Sequence, residues 1–118
     1  MEGRARIRNA SVAPRKARLV ADLVRNQYVD DALNQLSFTH KAAAPVIYKL
    51  IESAAANVQY QDPNVNIADL YVKEIRVDEG ITRKWIRPRA RGMANRIFKR
   101  QSHITVVVVD EEDDIVDE

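Results

Sequence analysis

Hydrophobic and polar residues follow two different periods along this chain. Residues 4–9, RARIRN, alternate arginine with smaller or apolar residues, and this period of two predicts a short strand with one basic edge. Pro14 suits the first turn of a helix, where its missing N–H is not needed. The spacing that follows predicts a helix over PRKARLVADLVRNQ. The apolar face assigned to it comprises Leu19, Val20, Leu23 and Val24.

Two further helices are predicted in the middle of the chain. VDDALNQLSFT indicates a short helix with Asp30 or Asp31 near its N-terminus. THKAAAPVIYKLIESAAANVQY gives the clearest helical stripe, with Thr39 as the expected cap and Pro45 expected to bend the helix or set back its start. The small residues 54–56 should allow another element to pack closely.

The remaining strands lie near the C-terminus. IADLYVKEIRVDEG predicts a strand whose apolar residues change phase, which indicates a bulge. SHITVVVV predicts a strand that is covered on both faces. The order favours an α+β fold of three helices packed on a small antiparallel three-stranded sheet. Residues 1–109 are expected to form one domain that includes a projecting basic hairpin over 80–102, with residues 110–118 as a disordered acidic tail.

The charged residues are unevenly distributed along the chain, with carboxylates concentrated at its C-terminus. The net charge is +2, but residues 110–118 hold seven of the seventeen carboxylates, which leaves 19 cations against 10 carboxylates, or +9, in the rest. Thirteen cations are arginine, whose planar fork grips phosphate and stacks on bases. The balance predicts a polyanionic partner. The absence of cysteine excludes disulfides and thiolate metal sites.

The strongest charge lies in residues 83–100, RKWIRPRARGMANRIFKR, inside an acid-free interval that runs from 81 to 109. Its eight cations are Arg83, Lys84, Arg87, Arg89, Arg91, Arg96, Lys99 and Arg100. A connection of this length between paired strands is typical of a functional element, and two arms of ten residues at ~3.3 Å each would reach roughly 30 Å. Such an arm repels itself in water and needs an anionic surface. Trp85 can stack on an exposed base.

Four segments in order, PRKARLVADLVR, VDEG, IRPRARGMANRIFKR and SHITVVVVDE, resemble the bacterial large-subunit ribosomal protein twenty-two family. The resemblance covers about residues 4–111. It implies a structural protein of the large ribosomal subunit, with a body on the outer face and a hairpin threaded into ribosomal RNA, that takes part in ribosome assembly and translation in the cytoplasm. Asn26 stands where the family commonly has glycine, and Asn can adopt the required left-handed turn.

The resemblance also implies partners for the hairpin. Its tip would line the polypeptide exit tunnel beside a second tunnel-constriction protein, contact the nascent chain and influence macrolide action. The tip residues are Arg87, Pro88, Arg89, Ala90, Arg91, Gly92, Met93 and Ala94. The stem residues that would clamp RNA are Arg83, Lys84, Arg96, Lys99 and Arg100.

A second basic group is predicted to contact RNA as well, against the alternative of a solvated basic face. It comprises Arg4, Arg6, Arg8, Arg15, Lys16 and Arg18. A rival reading is a free-standing regulator that binds DNA through a β-ribbon, although the length of the connection argues against it. No catalytic group, cofactor, small-molecule substrate or membrane span is expected from the sequence. No metal site is expected either, since His40 and His103 have no Cys, His or carboxylate at ligand spacing.

Overall fold

The computed structural model describes residues 2–88, 92 and 94–110, with the backbone alone described for 83–88 and 94–98. A short 3-10 turn, Ile67–Asp69, precedes the second strand. The other elements in chain order are β1 (Glu2–Ala10), α1 (Pro14–Val24), α2 (Val29–Ser37), α3 (Ala44–Gln61), β2 (Leu70–Glu79), β3 (Arg83–Pro88), β4 (Ala94–Lys99) and β5 (Ser102–Asp110).

The body is built on a three-stranded antiparallel sheet in the order β1-β5-β2. The α+β class with three helices on this sheet is therefore confirmed. The register of β2 against β5 shifts between Val72 and Glu74, so the change of phase read from the sequence marks a real bulge. Asn26, which follows α1, has φ +63°, the left-handed conformation expected for it.

The central strand β5 is buried on both faces, as its continuous β-branched run predicts. Ile104, Val106 and Val108 belong to the core that the helices cover. Val107 and Val109 point to the opposite face and are nevertheless 3% and 2% exposed. Each such side chain contributes roughly 1.5–3 kcal/mol by leaving water, so β5 is the main hydrophobic anchor of the sheet.

Close packing of α3 on β1 depends on small residues. A β-carbon at Gly3 would lie 2.3 Å from the carbonyl oxygen of Ala54 and 2.5 Å from Cγ2 of Val58. Ala54 and Ala55 are buried, whereas Ala56 is exposed. The prediction that the alanine run admits a close neighbour is confirmed, and the neighbour is the start of β1.

The apolar face predicted for α1 is wrong in part. Its buried positions are Pro14, Ala17, Val20, Ala21 and Val24. Leu19 and Leu23 are 62% and 40% exposed. The buried alanines permit a close approach to the sheet, so the helix is rotated from the orientation that would bury its leucines.

Thr39 does not cap α3. Its hydroxyl donates to the carbonyl oxygen of Gln35 at 2.8 Å and therefore closes the end of α2. The helix α3 begins at Ala44 with Pro45 in its first turn, where proline is tolerated because its missing N–H has no partner within the helix.

Between β2 and β5 the chain forms a second, separate sheet. Strands β3 and β4 pair antiparallel from Arg83 opposite Lys99 to Pro88 opposite Ala94. A backbone hydrogen bond from the N–H of Gly80 to the carbonyl oxygen of Gln101, at 2.8 Å, joins the two arms at the edge of the body. The paired strands agree with a ribbon in this connection, while its reach of roughly 30 Å stays a prediction.

Candidate nucleic-acid interface

The arginines of β1 lie on the sheet face away from the helices. Arg4 is opposite Val107 and Arg6 is opposite Thr105, whereas the alternate residues Ala5 and Ile7 pack against the core. Arg4, Arg6 and Arg8 are all exposed. The period of two in the sequence thus placed a basic row on the open face of the sheet.

These arginines differ in what they already contact. A guanidinium nitrogen of Arg4 lies 3.7 Å from the carboxylate of Glu2. Across the sheet, Arg76 is 3.1 Å from Glu74. Within the described part of the chain, Arg6 and Arg8 form no ion pair, which leaves their charges available to a partner.

The second basic cluster lies on the first turns of α1. Arg15 and Lys16 are exposed. Arg18 is also exposed, but its guanidinium donates two hydrogen bonds to the carbonyl oxygen of Val77, at 3.3 and 3.1 Å. Arg18 therefore attaches α1 to β2 with part of its donor set, a structural role that the sequence did not indicate.

Arg25 repeats this attachment two turns later. Its guanidinium donates to the carbonyl oxygen of Ile75 at 3.0 Å and pairs with Asp22. β2 is an edge strand, so its outward carbonyls need partners. Arg18 of α1 and Arg25, which directly follows α1, supply partners for two of them. Arg25 was not among the predicted site residues.

A groove of about 680 Å³ separates the start of α1 from the chain that enters β3 and leaves β4. Arg15, Arg18 and Arg100 line it, together with the single carboxylate of Glu79. The structure thus brings together cations that are 82 or more positions apart in the sequence. Thr82 and Gln101 also line the groove; they were missed because isolated polar residues in a connection have no periodic signal.

The predicted stem residues occupy β3, β4 and the residue after β4. The backbone register sets Arg83 opposite Lys99, Lys84 opposite Phe98 and Ile86 opposite Arg96. Lys99 and Arg100 are exposed. The connection therefore brings cations of both arms into one ribbon.

Much of the predicted tip, and the tail beyond 110, fall outside the described residues. Arg89, Ala90, Arg91 and Met93 belong to this group, as do residues 111–118. Gly92 is described and has φ +72°, a left-handed conformation that glycine adopts without strain.

In residues 2–88, 92 and 94–110, no group of three His, Asp or Glu side chains is arranged to hold a metal ion. No helix of that same part of the chain combines the length and apolarity needed to cross a membrane.

A helix-backed antiparallel sheet, a row of arginines on its open face and a basic ribbon inserted before its central strand define a small α+β protein of the nucleic-acid-binding class. Residues 5–109 match the family model of Ribosomal protein L22p/L17e, and the chain belongs to this family. The resemblance found in the sequence is confirmed.

Family membership sets the general role of the chain. It is a ribosomal protein, a structural constituent of the large ribosomal subunit that binds ribosomal RNA and serves translation. Its partners are ribosomal RNA and other ribosomal proteins, and its place is the ribosome in the cytoplasm. This assignment does not favour a free-standing DNA-binding regulator.

Proposed function

We propose that the chain stabilises folded ribosomal RNA by setting its basic ribbon and the basic surfaces of its body against RNA phosphates. Binding of this kind depends on charge and shape more than on base sequence. Each neutralised phosphate releases condensed counterions, which supplies a large part of the affinity. The ordering of the ribbon is thereby coupled to assembly of the subunit.

The distribution of carboxylates carries the proposal. All seventeen lie outside residues 81–109, the interval that contains β3 and β4. The register sets Arg83 opposite Lys99, and like charges directly opposite each other destabilise an antiparallel pair. A two-stranded ribbon is itself marginal in water. Phosphates around the ribbon would remove both penalties.

The contacts are proposed on three surfaces: the row on β1, the basic cluster at the start of α1 with its adjoining groove, and the ribbon. The residues are Arg4, Arg6, Arg8, Arg15, Lys16, Arg18, Arg83, Lys84, Trp85, Arg87, Arg89, Arg91, Arg96, Lys99 and Arg100. The groove supports this assignment because three arginines line it against one carboxylate. Arg18 takes part through the guanidinium N–H groups that do not bond to the carbonyl oxygen of Val77.

At the far end of the ribbon, residues 87–94 are proposed to form part of the wall of the polypeptide exit tunnel. Their partners there are the nascent chain and the second tunnel-constriction protein. Small residues at 90, 92 and 94 support a close approach of this backbone to its neighbours.

The chain is proposed to act as a structural component and not as an enzyme. Residues 1–109 are taken as one folded domain with its ribbon at 80–102. Of the predicted tail 110–118, Asp110 still belongs to β5, and residues 111–118 are taken as a separate acidic tail. Within the described ranges, the polar side chains that line the groove belong to three arginines, one threonine, one glutamine and one glutamate, a set suited to holding an anion.

Ultraviolet crosslinking in intact large subunits tests the proposal. Trp85 and its neighbours in the ribbon are expected to crosslink to ribosomal RNA, and subunits that carry a nascent chain should give an additional crosslink at 87–94. RNA crosslinks confined to the body would contradict the ribbon assignment. RNA crosslinks in the ribbon without any from the nascent chain would contradict the tunnel placement alone.

A further inference from the structure

A second pocket lies between the end of α2 and the start of α3, in a part of the body that the proposed RNA contacts leave unused. Its volume is about 550 Å³, within the range of roughly 300–1,000 Å³ typical of small-molecule sites. The apolar part of its lining comes from Leu36, Ala44, Pro45 and Tyr48. Leu36 and Ala44 are buried and Tyr48 is half-buried, so the pocket opens directly onto the core.

An exposed aromatic residue stands in the chain between two residues that line this pocket. Ser37 and Thr39 both contribute to the lining, and Phe38 between them is 77% exposed. The N–H of Phe38 donates to the carbonyl oxygen of Gln35 at 3.2 Å, and that of Thr39 donates to the carbonyl oxygen of Leu36 at 3.1 Å. The backbone that carries the ring is therefore held in place, and an aromatic surface of this size is left in water.

The charge of the pocket selects an anion. Lys41 and Lys49 line it together with Glu52. Neither lysine forms an ion pair within the described part of the chain, so both charges are available. An apolar lining, a neighbouring exposed aromatic residue and two lysines without ion pairs together suit a ligand with a flat apolar part and a negative charge.

We propose that this pocket binds one unpaired nucleotide of ribosomal RNA. The base stacks on Phe38 and enters against Tyr48 and the apolar lining, while Lys41 and Lys49 hold the phosphate. Proteins read single-stranded RNA in this way, by stacking splayed bases on aromatic side chains. The inference rests on the proposed function, which makes RNA the partner, and adds a base-stacking site to contacts that otherwise neutralise phosphate.

Nuclear magnetic resonance titration of the full chain tests this site with three probes: adenosine 5′-monophosphate, adenosine and inorganic phosphate. The monophosphate is expected to shift the amides of 37–41 and Lys49 and to bind more tightly than either half. Phe38→Ala should weaken it about tenfold, since one stacked base corresponds to roughly 5- to 150-fold in affinity. Lys49→Gln should weaken the monophosphate and leave adenosine unchanged. Leu19→Ala, which removes a comparably exposed apolar side chain from α1, is the control and should change nothing.

Three results would overturn the inference. They are equal affinities for phosphate and the monophosphate, amide shifts confined to residues of the α1 groove, or an affinity for the monophosphate that Phe38→Ala does not change. An acidic peptide that shifts these amides when the monophosphate does not would identify a protein-docking site in its place. Binding of intact ribosomal RNA to the same variants is measured in parallel. If Phe38→Ala weakens binding of the monophosphate but leaves the affinity for ribosomal RNA unchanged, the pocket is rejected as an RNA site and the proposed function stands. If the unmodified chain does not bind ribosomal RNA, the proposed function itself is rejected.

Discussion

At the scale of single residues, Gly3 sets the distance between β1 and α3. A methyl group there would meet the carbonyl oxygen of Ala54 and the side chain of Val58, both closer than 3 Å. Backbone atoms on one side of the contact cannot move aside as the end of a long side chain can. The glycine is thus fixed by packing and not by an unusual φ.

Gly3→Ala is therefore expected to lower the free energy of unfolding by about 1–3 kcal/mol, the cost of forcing extra atoms into a packed contact. Urea denaturation of the purified chain measures the change. Gly80→Ala is the matched control, because its β-carbon would come no closer than 3.1 Å to Gln101 and should cost less. Equal losses in the two variants would mean that the packing of β1 on α3 is looser than described.

At the scale of elements, α1 has two tasks that separate along its length. Arg18 and Arg25 bond to carbonyl oxygens of β2 and cover the edge of the sheet. Arg15 lines the groove and bonds to nothing else in the described part of the body. The same helix thus stabilises the fold with two arginines and offers others to a partner.

This separation predicts different outcomes for two neighbouring arginines. Arg15→Ala should leave the free energy of unfolding within about 0.5 kcal/mol of its original value, as surface substitutions usually do, and should weaken RNA binding. Arg18→Ala should weaken RNA binding and also lower stability by about 1 kcal/mol through its lost hydrogen bonds. Urea denaturation and RNA filter binding at one salt concentration measure both. An Arg18 variant with unchanged stability would show that its bonds to Val77 contribute nothing.

Periodicity in the sequence was sufficient to predict the three helices, the three strands of the main sheet, their order and the bulge in β2, whereas the ribbon was expected from the length and charge of its segment. Periodicity did not predict which face of α1 is buried, because tertiary packing determines that face. Ala17 and Ala21 are buried, whereas Leu19 and Leu23 are exposed. The basic row on β1 was predictable because its period of two is local. The groove was not, since Arg15 and Arg100 meet through the fold of the whole body.

At the scale of the whole molecule, opposite charges are separated along the chain. Residues 111–118 contain six of the seventeen carboxylates, so a chain without them would have a net charge of +8 instead of +2. The family match ends at 109, and the tail is therefore an addition to the part that defines the family. Its charge opposes that of the RNA-binding surfaces.

Removal of 111–118 is expected to raise the association rate and affinity for RNA at low salt, because the field of the remaining chain is more positive. The difference should shrink as salt screens the charges. Stopped-flow binding at several salt concentrations measures it. A chain of equal length with Asn and Gln in place of the six acids is the control and should match the truncation. Slower association after truncation would contradict a purely electrostatic effect.

The central claim is that the cations of the ribbon serve to bind RNA and contribute nothing to the stability of the body. The most direct measurement replaces Arg83, Lys84, Lys99 and Arg100 by Ala and follows both incorporation into large subunits and unfolding of the isolated chain. We predict reduced incorporation, a salt dependence of RNA binding lower by roughly 3 in log–log slope, and nearly unchanged thermal stability. Normal incorporation, or a large loss of stability in the isolated chain, would contradict the account.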